Sequence, residues 1–144
     1  MSHDIVVLES DVDLADQIFL KMENGMLELH APGVFPHEIR GLLTRACLTR
    51  PQRGGPPRLS AEIAVQAIQT ISEYPIQIHE ETVEGGQEAL RMAVKYSKGH
   101  FDMTYLRLAE QLDCQWCTAD GKILSSLLKG FPIHRVLLLS TLKV

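Results

Sequence analysis

The chain has 144 residues, enough for a single domain that buries about two thirds of its unfolded surface and needs no disulfide or metal staples. It is 45% hydrophobic and 22% charged, with a net charge of −4, which excludes a whole-surface nucleic-acid binder and leaves room only for a local basic patch. No apolar run approaches the roughly 18–20 residues that cross a bilayer. Met1-Ser-His-Asp4 does not read as a secretory signal, and three cysteines fit a reducing cytoplasm.

Ile5-Val-Val-Leu8 is a short β-branched run of the kind that forms a strand buried on both faces. Ser10 or Asp11 can cap a following helix with Leu14, Ile18, Phe19 and Met22 on its apolar side, and Asn24-Gly25 stops it. Met26–Leu29 reads as a second strand, and Ala31-Pro32 as a turn into a helix striped by Val34, Ile39, Leu42, Leu43, Ala46 and Cys47. Arg50–Arg58 holds three prolines and two glycines and is an exposed loop. Ser60 caps a helix running through Ile71, and Tyr74–Ile78 is a third strand. Glu81–Ser97 is a helix despite Gly85-Gly86, and another follows from His100 to Leu112. Gln115–Thr118 is a fourth strand, Ile123, Leu127 and Leu128 pack a last helix ended by Gly130-Phe-Pro132, and Arg135–Ser140 is the last strand. Strands alternating with helices give an α/β chain with a parallel sheet of four to five short strands, in one domain spanning residues 1–144.

In such open sheets the functional crevice lies outside the carboxyl ends of the strands. Asp120 follows the fourth strand, Asp102 is near the start of its helix, and Glu38 is in the first turns of a helix after a strand. Each can be a helix cap or a dipole-favoured acid, worth about 0.3–1 kcal/mol. All three nevertheless map to one edge of the sheet. Carboxylates about 4 Å apart repel by roughly 4 kcal/mol per pair at an effective dielectric near 20, and a divalent cation between them removes that cost. Hard oxygen ligands suit Mg2+ or Mn2+, which can activate water against a phosphoryl group.

Other patterns carry less. In Cys114-Gln-Trp-Cys117 the spacing of three on a strand turns the thiols to opposite faces, and no second pair completes a zinc site. The six histidines lack ligand spacing, and most read as surface residues. Serine-hydrolase, phosphate-loop and dinucleotide motifs are absent. Arg40, Arg45, Arg50, Arg53 and Arg58 form an acid-free stretch, readable either as an RNA-backbone arm or as a solvated face.

Phe101-Asp102-x-x-Tyr105-Leu-x-Leu-Ala109-Glu110-x-Leu112, followed by Thr118-Ala-Asp120-Gly-Lys-Ile-Leu124, resembles the PIN domain, in particular the VapC-like toxins of toxin–antitoxin pairs. Ala31-Pro32 followed by Glu38-Ile39-x-x-Leu42-Leu43 is similar to the family's middle segment, and Leu14-Ala-Asp-Gln17 to its second helix. The resemblance implies a PIN-like three-layer α/β/α fold with a central parallel sheet. It also implies Mg2+- or Mn2+-dependent cleavage of RNA, a homodimer and a small antitoxin partner. By position, Glu38, Asp102 and Asp120 are metal-site acids and Thr118 a supporting hydroxyl. The chain departs from the family at its start, where a strand ending in Asp is usual. Either Ile5–Leu8 is that strand and Glu9 replaces the Asp, or the first strand and its acid are missing; Asp4 and Asp11 are further candidates. The leading expectation is a metal-dependent PIN-type endoribonuclease, the toxin of a pair. The alternative is a PIN-like protein with weakened or lost catalysis that binds RNA or protein.

Overall fold

The computed structural model describes residues 4–8, 27–48, 56–118, 120–138 and 141. The chain divides into two compact units, Met1–Gly33 with Ile76–Val144, and Val34–Pro75.

The first unit is built on a five-stranded sheet of β1 (Asp4–Leu8), β2 (Leu27–Pro32), β3 (Ile76–His79), β4 (Gln115–Thr118) and β5 (Val136–Leu138). The spatial order is β3-β2-β1-β4-β5 and every pairing is parallel. Val6 pairs with Leu29 on one side and with Gln115 on the other, so β1 is the central strand. The order of connection reverses across β1: the chain moves outward to β2 and β3, then crosses to β4 and β5. A reversal of this kind is where open α/β sheets place a crevice, here at the carboxyl ends of β1 and β4. In β2, Leu29 and Ala31 are buried on one face and His30 and Pro32 on the other, as an interior parallel strand requires.

Among the described residues this unit also holds two α-helices, α3 (Val83–Tyr96) and α4 (His100–Leu112); α1 (Phe35–Cys47) and α2 (Ala61–Ser72) belong to the other unit. In α4, Met103, Thr104, Tyr105, Leu106, Leu108 and Ala109 are all buried. They occupy nearly every side of the helix because α4 packs on β1, β2 and β4 and also on α3. Burial of Met103, Leu106 and Leu108, at about 1.5–3 kcal/mol each, outweighs any single polar contact in placing the helix. Helix α3 packs on α4, and its buried residues Gly85, Ala89, Met92 and Tyr96 recur at helical spacing. Gly85 leaves room for Arg107: a Cβ would lie 2.8 Å from Arg107 Nη1 and 3.1 Å from Thr82 Oγ1, and the guanidinium would have to move. Of the glycine pair that threatens a helix in the sequence, Gly85 therefore serves the packing, and the Thr82 hydroxyl restores the start by accepting the Gly85 N–H at 3.0 Å. Asp113 closes α4 in the left-handed region at φ 51°, and the Cys114 N–H returns to Ala109 O at 2.9 Å.

In the Val34–Pro75 unit, α1 (Phe35–Cys47) and α2 (Ala61–Ser72) pack together. Phe35, Ile39 and Leu43 are buried along α1. The Arg58 and Leu59 N–H groups donate to Ala46 O at 3.0 and 3.1 Å, satisfying a carbonyl at the end of α1. Ser60 caps α2 by accepting the Ile63 N–H at 3.2 Å, as its sequence position suggested.

Three expectations need correction or bounding. The helix expected around Ile123–Leu128 is only a 3-10 turn, Gly121–Leu124. Ser125 Oγ donates to Lys122 O at 2.7 Å and Ser126 adopts φ 52°, so the two serines end the turn. Ile123 is buried as expected, but Leu128 is exposed. Ala31-Pro32, read as a turn, instead ends β2. The helix expected at Leu14–Met22 lies outside the described residues.

Candidate functional site

The fourth strand ends in Thr118, which is wholly buried. Its Oγ1 accepts the Asp120 N–H at 3.1 Å. Asp120 is exposed, and its Oδ1 accepts the Lys122 N–H at 2.9 Å. The cap reading of Asp120 is therefore correct as far as one oxygen goes, and a carboxylate has a second oxygen to offer.

Asp102 reaches the same edge by another route. Only Asp113 and Cys114 separate α4 from β4, so α4 runs back antiparallel to that strand and its first turn lies toward the carboxyl edge. Lys98, two residues before α4, confirms this placement: its Nζ donates to Ser125 O, just past the 3-10 turn, at 2.7 Å. At the opposite end, Arg135 donates to Cys114 O at 3.2 Å and to Asp113 Oδ1 at 3.1 Å. Asp102 is not the cap of its helix. Gly99 holds the cap position without a side chain, and a Cβ there would stand 3.5 Å from Asp102 Oδ2. The carboxylate thus folds back over the start of α4.

Asp102, Thr118 and Asp120 therefore lie toward the same carboxyl edge of the sheet, beside the β1/β4 switch. Their side-chain donors are all oxygens, the chemistry that suits a hard divalent cation. Among the described residues, no three His, Cys, Asp or Glu side chains are placed to hold one metal ion. Glu38 is half-buried in the first turn of α1, within the Val34–Pro75 unit. Glu9, Asp11, Arg50 and Arg53 lie outside the described residues, as does the side chain of Asp4. Arg40, Arg45 and Arg58 are exposed, and Arg40 Nη2 donates to His37 Nδ1 at 2.8 Å. The Cys114 and Cys117 thiols are buried and not joined in a disulfide.

The reading of the histidines was too coarse. His37, His100 and His134 are exposed, but His30 is buried and His79 half-buried. His30 Nδ1 lies 2.8 Å from His79 Nε2, and His30 Nε2 donates to Glu28 Oε1 at 2.7 Å. Burial, and then repulsion from His30, lower the His79 pKa from the ordinary 6.5. The signal was available in Glu28-Leu-His30, where an acid and a histidine two residues apart on a strand share a face. Lys98 carried no comparable signal.

No protein-family model matches the chain, and no curated protein matches it either. Solved structures do. The chain superposes on a chain of a toxin–antitoxin complex from Klebsiella pneumoniae with a TM-score of 0.57 and 10% identity, over 92% of this chain and 95% of that one. It superposes on a protein from Pyrobaculum aerophilum, known from its crystal structure, with a TM-score of 0.61 and 17% identity, over 98% of this chain and 94% of that one. What the chain shares with these two proteins, along nearly its whole length, is the fold.

Proposed function

We propose that the chain is a PIN-type endoribonuclease and the toxin of a toxin–antitoxin pair, with the three-layer PIN arrangement as part of the same reading. The observation that carries it is that Asp102, in the first turn of α4, and Asp120, just past β4, both lie toward the carboxyl edge of the sheet beside the β1/β4 switch. The motif resemblance identified these same two acids. The fold shared with a chain of a toxin–antitoxin complex supports the partner class.

Asp102 and Asp120 would hold Mg2+ or Mn2+, and the resemblance adds Glu38 and Glu9 as further acids. Such an ion, when bound, activates water and neutralises charge on a phosphoryl group. Thr118 keeps the turn that presents Asp120 in place. A carboxylate oxygen of the pair can accept the proton of the attacking water. Arg40, Arg45 and Arg58, together with Arg50 and Arg53, would hold the RNA backbone as point and fork charges. Exposed Ile63, Val65 and Ile68 on α2, and Val83, Leu90 and Val94 on α3, are apolar surface of the kind that protein partners cover, in keeping with a homodimer and an antitoxin.

A second reading has one observation behind it. The chain's departure at its start from the strand ending in Asp that is usual in the family favours a PIN-like module whose catalysis is weakened or lost. Incubating labelled RNA with the purified chain, with and without added Mg2+ or Mn2+, separates the two. Metal-dependent cleavage supports the nuclease; binding without cleavage supports the module.

A further inference from the structure

Glu28, His30, Gln77 and His79 share one face of the β2–β3 pair, because His30 lies opposite Gln77 and Pro32 opposite His79. Glu28 Oε1 accepts from His30 Nε2 at 2.7 Å and from Gln77 Nε2 at 3.1 Å. An ionised carboxylate only accepts, so His30 Nε2 carries a proton. The other ring nitrogen of His30 faces His79 Nε2 at 2.8 Å, with the ring centroids 5.1 Å apart. That contact needs one proton and one lone pair. Either His79 donates to a neutral His30, or a protonated His30 donates to a neutral His79. A second proton would set two N–H groups against each other at hydrogen-bond distance, and the contact would break.

We propose that Glu28, His30 and His79 form a proton-operated latch, which fastens the end of the edge strand β3 to β2 and frees it when a second proton enters the pair. Three features make the end of β3 sensitive to this contact. His79 is the last residue of an outermost strand. Its ladder partner is Pro32, which has no N–H to give. His79 also lines a cavity of about 160 Å3 together with Thr82, Gly85, Arg107 and Leu108. Breaking the imidazole contact therefore loosens both the strand end and one wall of that cavity.

The charges around the pair are mixed. Glu28 stands behind His30, and Glu80 and Glu81 follow His79 at the cavity rim; all three favour a second proton. Arg107 faces the cavity from α4 and opposes it, although its Nε donates to Glu88 Oε2 at 3.3 Å. Burial and the nearness of His30 already set the second proton below the ordinary histidine range. The latch is thus closed at and above the ordinary histidine value of 6.5 and opens as the pH falls through the lower folded value of His79.

Hydrogen exchange of the full chain, corrected for intrinsic rates, tests this between about pH 7.5 and about pH 5.5. The prediction is that protection over Ile76–Thr82 falls on acidification while protection over Gln115–Thr118 holds. One proton sets the limit at about tenfold per pH unit. His79→Gln should remove the pH dependence of the β3 segment, and His30→Gln should do the same. If the buried His30→Gln variant does not fold, His79→Gln alone decides, since that ring is half-exposed. The proposal is overturned if β3 and β4 lose protection in parallel, or if His79→Gln keeps the pH dependence of the parent chain.

Discussion

Thr118 Oγ1, wholly buried at the end of β4, accepts the Asp120 N–H at 3.1 Å, so a core hydroxyl sets the direction of an exposed carboxylate. Thr118→Val keeps the side-chain shape and removes the acceptor. The expected stability cost is about 1 kcal/mol, the net worth of one such bond. The expected loss in RNA cleavage rate is larger, about tenfold, because the turn carrying Asp120 loses its anchor. Urea denaturation and initial-rate measurements check the two effects separately, and Thr118→Ser should recover most of both.

Gly85 and Gly86 lie side by side in α3 but face different surroundings. A Cβ on Gly85 meets Arg107 Nη1 at 2.8 Å, whereas one on Gly86 meets nothing within 4 Å. Gly86→Ala should stabilise the chain by about 0.5–1 kcal/mol through helix propensity. In Gly85→Ala the same gain is offset, because Arg107 must move from its 3.3 Å contact with Glu88 and Thr82 is crowded at the cap. Thermal melts should therefore rank Gly86→Ala above Gly85→Ala by about 1 kcal/mol or more.

Stability should fall on mild acidification. The folded His79 has a lowered pKa, so the unfolded chain takes up the proton first. Its contribution is complete above pH 6.5 and is lost as the pH drops through that value toward the lower folded one. Denaturant midpoints measured across this range should fall with pH in the parent chain and fall less in His79→Gln.

If the exposed Arg40, Arg45 and Arg58 hold RNA phosphates, each change to Gln should weaken RNA binding with little regard to sequence. Each should also flatten the plot of log affinity against log salt by about 0.7 for a single strand. Binding isotherms at three or four salt concentrations give that slope. An unchanged slope in all three variants would return these arginines to the role of a solvated face.

The α/β alternation was legible because β-branched runs such as Ile5–Leu8 and the helical stripe of Ile39, Leu42, Leu43 and Ala46 announce their periods without tertiary help. Asp102 and Asp120 were legible because strand ends and helix starts are where acids stand out. Ile123–Leu128 was misread: its apolar spacing is helical, but Ser125 and Ser126 close the turn through local hydrogen bonds and a positive φ that spacing does not show. The His30–His79 contact was hidden for a different reason. The two residues are 49 positions apart, and only the register of β2 on β3 brings them together.

We propose that Asp102 and Asp120 form a metal-dependent RNA-cleaving site. The most direct test is cleavage of labelled RNA in Mg2+ or Mn2+ by the parent chain, Asp102→Asn and Asp120→Asn, with circular dichroism confirming that each is folded. Burial places α4 at about 1.5–3 kcal/mol per large apolar side chain, and the acid near its start adds only about 0.3–1 kcal/mol, so Asp102→Asn should fold. Metal-dependent cleavage by the parent chain is expected, with a loss of at least about a hundredfold in each folded variant. Parent-level cleavage in both variants, or cleavage by the parent chain that does not change when EDTA removes the metal, would contradict it.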